Sequence, residues 1–248
     1  MIPIKNKKQQ QAMIIGGRKL NKVLKEVLKK AKTGVALYQL NDLAHSLLIK
    51  EGGKPSFEMV KNYHWATCLN INQGVVHGVP NKYRLQDGDL LSVDIGLFYQ
   101  GLHTDMAQTV IIGRKNKLKQ DFLKAGQKAL ETAIRQAKRG KRIGDISKAI
   151  ETQIKKAGFS PVKLLTGHGV GKQLHEQPPI PCFLNQKIEK TPFCEDGMAL
   201  AIEVIYTQGK PDLVLSKDKW TIETADGQLS ALFEKTVIIN GQKPLILG

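Results

Sequence analysis

Four carboxylates stand in segments that otherwise read as protein interior, and their spacing repeats. Asp94 follows Asp87-Gly88 by seven residues from the Asp, inside the apolar run LLSVDIGL; Glu203 follows Asp196-Gly197 at the same distance, inside MALAIEVIY. A TVII segment comes next in each case, at 109–112 and 236–239, with Asp105 and Glu234 just ahead of it. An unpaired carboxylate in an apolar interior costs more than a fold can spare, so such groups are neutralised by paired cations or by metal. Asp105 precedes Thr109 by four residues and Glu234 precedes Thr236 by two, so each acid shares a strand face with its Thr. His168 lies in TGHGVG, where flanking glycines let the backbone approach a site and leave the imidazole uncrowded. Four carboxylates and an imidazole suit Mn, Fe, Co or Zn better than a thiolate site would, and two divalent ions would cancel the acids' charge.

These residues need strands to hold them. Turn character peaks at Tyr99-Gln100-Gly101. A hairpin folded about Tyr99 and Gln100 sets Asp94 directly opposite Asp105, with side chains about 5 Å apart, where the two charges repel unless a cation lies between them. Apolar spacing at Leu20, Val23, Leu24, Val27 and Leu28 predicts a helix running to about Lys32, and a second helix over 37–51 stops at Gly52-Gly53. Strands are expected at 66–76, 90–98 and 102–112, then helices at 118–138 and 145–157, then strands at 162–166, 198–207 and 231–239. The Pro-rich stretch at 178–181 reads as a loop.

The order repeats. AKTG at 31–34 and AKRG at 137–140 each introduce a helix, and HGV occurs at 77–79 and 168–170 ahead of each DG strand. The pattern predicts a single domain over 1–248 built from two related halves, about 1–113 and 114–248, in an α+β arrangement of antiparallel sheet with helices on one face.

Composition narrows the class. The chain has 248 residues, 41% hydrophobic and 24% charged, in the range of ordinary globular proteins. No run approaches membrane-spanning length and MIPIKNKKQQQ holds no apolar signal core, so a cytoplasmic protein without membrane association is expected. Cys68, Cys182 and Cys194 are odd in number and form no CxxC, which argues against a disulfide framework or a zinc finger. The net charge of +16 reads first as lysine-rich solvated helix faces, because Arg is scarce and no aromatic–basic interleaving is present. Weak attraction to RNA or the ribosome is the other reading of that charge.

The motifs NQGVVHGVP, SVDIGLFYQGLHTD, TGHGVGKQLHEQP, LAIE and LSALFEKT, in this order over nearly the whole chain, resemble those of type I methionine aminopeptidases of the pita-bread fold. The resemblance implies a dinuclear centre holding two divalent ions (Co, Mn, Fe or Zn), with Asp94 on one ion, His168 and Glu203 on the other, and Asp105 and Glu234 bridging. It implies that His77 contacts substrate and that His175 donates to the scissile carbonyl. Tyr63, Cys68, Leu174 and Trp220 would line the pocket for the methionine side chain, Leu174 at a position that is usually Phe. The implied enzyme is a monomer whose partners are the N-termini of nascent polypeptides, preferably with a small second residue. Its chemistry would use a hydroxide bridging the ions, with Glu203 as both ligand and proton carrier.

The chain departs from the family pattern at Val204, where Pro is usual, at Lys235, where His is usual, and in YHWATC around Trp65. Lys235 would either weaken the second metal or point outward. His103, two residues before Asp105, is expected to back a ligand; His45 and His64 read as surface or helix residues, and Cys182 and Cys194 have no assigned role. The alternatives are an Xaa-Pro peptidase of the same fold and a non-catalytic relative that binds RNA or ribosomes.

Overall fold

The computed structural model describes residues 2–248. Helices α1 (Lys7–Lys30) and α2 (Leu37–Lys50) come first. Strands β1 (Lys54–Pro55), β2 (Thr67–Ile71), β3 (Gly74–Val76), β4 (Leu90–Tyr99) and β5 (Leu102–Ile111) follow. Helices α3 (Lys117–Gln136) and α4 (Ile143–Lys156) lead to β6 (Ser160–Pro161), β7 (Thr166–Gly169), β8 (Glu176–Pro181) and β9 (Ala199–Thr207). Strands β10 (Leu213–Leu215), β11 (Ile222–Thr224), β12 (Ser230–Ile238) and β13 (Leu245–Ile246) close the chain.

The main sheet runs β1-β4-β5-β12-β9-β7-β8, with β2 on β4, β6 on β9 and β13 on β12. Every pair in it is antiparallel. Alternation along β4 explains why the helices cover one face: Leu91, Val93, Ile95 and Leu97 pack with Leu20, Leu24, Leu40 and Leu48 of α1 and α2, while Ser92, Asp94 and Gly96 point the other way. Ile202 and Val204 of β9 and Phe233 of β12 do the same beneath α3 and α4, joining Phe122, Ala129, Ile146 and Ile150. Val204 is fully buried in that layer, so the departure from Pro at this position lies on the helix side of the strand.

Local signals set the element ends. At α1 the Asn6 carboxamide accepts from the Gln9 amide, and the Gln9 side chain accepts from the Asn6 amide, a reciprocal cap. The helix ends at Lys30, two residues earlier than its apolar spacing implies. The expected strand at 66–76 is two strands, because Asn72, at φ 51°, turns the chain between β2 and β3. The expected strand at 162–166 is displaced: the regular segments are β6 and β7, with 162–165 between them. The stretch at 178–181 is strand rather than loop. Strand β8 is the last in the order, so prolines without N–H groups leave no inner ladder unpaired.

The β4–β5 register also differs from expectation. The hairpin tip is Gln100-Gly101, both at positive φ (50° and 82°), the geometry of a tight two-residue turn. Tyr99 therefore pairs with Leu102, Asp94 lies opposite Ala107, and Asp105 lies opposite Gly96. The two acids share a face on a diagonal instead of standing directly opposed. At φ 82° a Cβ is strained, so Gly101→Ala is expected to destabilise the protein by about 1 kcal/mol; urea denaturation compared with wild type checks this, with an unchanged midpoint as the contrary result.

Candidate active site

The register fixes where the acids meet. Cys68 of β2 faces Asp94 of β4, Asp94 faces Ala107 of β5, Ala107 faces Glu234 of β12, and Glu234 faces Glu203 of β9. One row across five strands thus carries three carboxylates on the helix-free face. Asp105 lies two residues from Ala107 and His168 pairs with Ala201, two residues from Glu203, so both add to the same face one step along. Ligand atoms of Asp105, His168 and Glu234 lie within 4.8 Å of one another. His168 Nε2 is 3.5 Å from Glu203 Oε1. All five residues named from the sequence come together.

Threonine hydroxyls hold the central strands at this point. Thr236 Oγ1 of β12 accepts from the Asp105 amide and donates to the Asp105 carbonyl, both at 2.8 Å. Reciprocally, Thr109 Oγ1 of β5 accepts from the Leu232 amide at 2.9 Å and donates to its carbonyl at 2.8 Å. Each TVII threonine therefore stitches its strand to the other where the direct ladder stops.

The electrostatics are those of a cation site. Burial, then Asp105 and Glu203, pushes the Asp94 carboxyl well above its ordinary value. Burial raises Asp105 to about 7. Burial and Asp105 raise Glu203, and burial with Asp105, Glu203 and Asp94 raises Glu234. Asp94 Oδ1 and Glu234 Oε1 are buried without a hydrogen-bond partner. His168 Nδ1 lies 2.9 Å from the Gly169 carbonyl, which can only accept, so the proton sits on Nδ1 and the Nε2 lone pair faces Glu203. Burial, then His175, lowers His168 to about 4 and keeps it neutral. Partnerless carboxylate oxygens and an imidazole lone pair aimed at one another are a donor set complementary to hard or borderline divalent cations.

A cleft of about 170 Å³ is lined by Phe57, Val60, Tyr63, Cys68, Leu174 and Trp220 together with the four acids and His168. Tyr63 sits edge-on to Trp65 and Trp220, with ring centroids 5.1 and 5.0 Å away. Its hydroxyl donates to the Thr67 carbonyl at 2.9 Å and lies 3.2 Å from Cys68 Sγ. Trp220 is presented by a turn in which the Asp218 carboxylate accepts from the Trp220 and Thr221 amides. His77 and His175 also face the cleft; the His175 ring is 4.4 Å from that of His168. Burial lowers His175, and burial followed by His175 lowers His77. Phe57 and Val60, absent from the sequence reading, join the wall from a 3₁₀ turn after β1. Gly96 leaves Ser56, and beside it Phe57, their space against β4.

One expectation resolves otherwise, and one open choice is decided. The His103 hydrogen bond runs to Ser56 Oγ at 2.9 Å and its ring packs 4.6 Å from Phe98, so it braces that segment and not a ligand. Lys235, next to Glu234, points to the opposite side of β12, where Nζ donates to the Gly248 carbonyl at 2.9 Å and lies 3.5 Å from Asn21 Oδ1. Its ammonium is directed away from the acids.

A carboxylate-and-imidazole cluster beside an apolar cleft, on the open face of a helix-backed antiparallel sheet, defines a metal-dependent hydrolase. The chain belongs to metallopeptidase family M24, whose pattern it matches over residues 11–240. It is 38% identical over 241 residues to a methionine aminopeptidase of Aquifex aeolicus, covering 93% of each chain. It superposes with a TM-score of 0.96 and 35% identity on the crystal structure of a methionine aminopeptidase from Thermotoga maritima, covering 100% of this chain and 99% of that one. The prolidase from Pyrococcus furiosus shares the fold, with a TM-score of 0.80 at 20% identity, over 64% of its longer chain. The architecture is the pita-bread fold. Among the described residues no helix is long and apolar enough to cross a membrane.

Acids raised by burial favour the protonated folded state, so their contribution to stability is present below their unfolded pKa near 4 and lost as pH rises through about 7 for Asp105. In EDTA the thermal midpoint is therefore expected to fall from about pH 5 to about pH 8, and Mn²⁺ is expected to reverse this while releasing protons. Melting curves and calorimetry in two buffers of different ionisation enthalpy measure both; a pH-independent midpoint and no proton release would contradict the reading.

Proposed function

We propose that this protein removes the N-terminal methionine from polypeptide chains in the cytoplasm, with a small second residue preferred. The observation that carries this reading is the junction of an aromatic, sulfur-edged apolar cleft with a buried cluster of four carboxylates and one imidazole. Asp94, Asp105, His168, Glu203 and Glu234 are the residues that would hold two divalent ions, with Mn, Fe, Co and Zn the metals their donor atoms suit. When bound, such ions offset the carboxylate charge, acidify a water molecule and polarise a carbonyl.

The chain's own residues supply the rest. Tyr63, Cys68, Leu174 and Trp220, joined by Phe57 and Val60, receive a flexible thioether side chain, for which sulfur–aromatic contacts are favourable, and Trp65 packs against Tyr63. The cleft ends at the acids, so a side chain inserted there leaves its own α-amine and carbonyl at the cluster. His77 and His175, kept neutral by burial, each retain one N–H to donate, His175 toward the oxyanion that develops at the scissile carbonyl and His77 toward the peptide beyond it. The Glu203 carboxylate takes the proton from the attacking water and delivers it to the leaving amine.

Purified protein with Mn²⁺ or Co²⁺ is expected to cleave Met-Ala-Ser much faster than Met-Leu-Ser and to leave Ala-Pro intact. Asp105→Ala is expected to abolish cleavage, and His175→Ala to lower kcat by about 10²- to 10³-fold with KM little changed. Full activity in Asp105→Ala, or preference for Ala-Pro, would refute the assignment.

A further inference from the structure

Resting on that reading, we infer that Lys5 and Glu176 form a positioning pair that holds His175 and Leu174 against the reacting group from behind. The loop 170–175 between β7 and β8 carries both side chains into the cleft and contains no regular structure of its own. Its fastenings are few: the Val170 amide donates to the Ala199 carbonyl at 3.0 Å, and the Gly171 carbonyl accepts from the His103 amide at 2.7 Å. Beyond Gly171 the chain bends tightly, the Gly171 amide donating to the Gln173 carbonyl at 3.0 Å. Glu176 then closes the bend. Its Oε1 accepts from the Gln173 amide at 3.1 Å, while Oε2 accepts from Lys5 Nζ at 2.6 Å.

Lys5 is 171 residues distant in sequence and arrives from the segment ahead of α1. Its backbone is fixed independently of the loop, the amide donating to the Gly197 carbonyl at 2.8 Å and the carbonyl accepting from Gln10 Nε2 at 2.7 Å. The stem of its side chain passes so close to Gly171 that a Cβ there would overlap Lys5 Cε and Glu176 Oε1. Both side chains are almost wholly buried, 4% and 7% exposed.

A buried ion pair is a weak source of stability, since desolvation offsets much of the attraction and an apolar pair of similar size serves as well. What it supplies is a fixed direction. The anchored ammonium holds one Glu176 oxygen, which orients the other toward the Gln173 amide and so sets the bend that ends at His175. Leu174 packs with Phe57, Tyr63 and Cys68, whereas the His175 ring stands edge-on to His168 at the end of the bend. Loosening the pair therefore acts chiefly on the group that meets the transition state.

The test compares wild type, Lys5→Met and Glu176→Gln by hydrogen exchange of the 170–176 segment and by steady-state cleavage of Met-Ala-Ser at saturating Mn²⁺. In Lys5→Met the exchange of this segment is expected to accelerate and kcat to fall about 10- to 100-fold, with KM moving less than about threefold. Leu48→Ala, a cavity in α2 remote from the site, controls for lost stability and is expected to leave both the exchange and kcat of the loop enzyme unchanged. A folded Lys5→Met protein with parental exchange and kcat overturns the inference. Should Lys5→Met fail to fold, Glu176→Gln decides, since it keeps one acceptor oxygen for the Gln173 amide while removing the charge and setting a donor NH2 where the second oxygen meets Lys5; parental values there overturn it equally. Wild-type protein that cleaves no peptide would instead refute the proposed function, and the exchange comparison would still judge the pair.

Discussion

Four carboxylates held on one face of a sheet repel each other, and the remainder of the molecule is arranged to keep them there. Water would screen that repulsion, but Asp105 and Glu234 are buried and Asp94 and Glu203 are largely so. The protein therefore retains a local demand for positive charge that protons meet at low pH and divalent ions meet at neutral pH. The five residues come from five different strands, so no local segment can form the cluster by itself. The helix layers on the far side supply the apolar burial that keeps those strands in register against the repulsion.

The two central strands illustrate how the strain is carried. Between β5 and β12 the regular ladder is short, and the hydroxyls of Thr109 and Thr236 complete it reciprocally. Each hydroxyl both donates and accepts, which rigidifies the backbone beside Asp105 and Glu234 without adding charge. The cleft wall follows a different principle: Tyr63, Trp65 and Trp220 meet edge to face, an arrangement that leaves apolar ring surface toward the space where a side chain enters.

Much of the site was legible because its residue types contradict their surroundings. Asp94 in LLSVDIGL and Glu203 in MALAIEVIY are visible as anomalies in core strands, and the even spacing of Asp105 and Glu234 to their threonines announced a shared face. The β4–β5 register lies two residues from the one turn character predicts because Tyr99 is within β4 rather than at the turn; Gln100 and Gly101 adopt the positive φ a tight hairpin needs. The two-residue error preserved face and hence chemistry, since side-chain direction repeats every second residue. Phe57 and Val60 carried no comparable anomaly, an apolar residue in a short 3₁₀ turn being ordinary wherever it falls.

Sequence alone determined the identity of the acids, the faces they occupy and the order of the helices and of the long strands β4, β5, β9 and β12, because periodicity and residue type are local properties of the chain. Only the tertiary structure decided which strands are neighbours, that Lys235 turns its charge to the Gly248 carbonyl, that Pro178–Pro181 form an edge strand, and that Lys5 reaches Glu176. Those outcomes depend on contacts between segments far apart in sequence, and no local pattern encodes which distant group will be present to meet a given side chain.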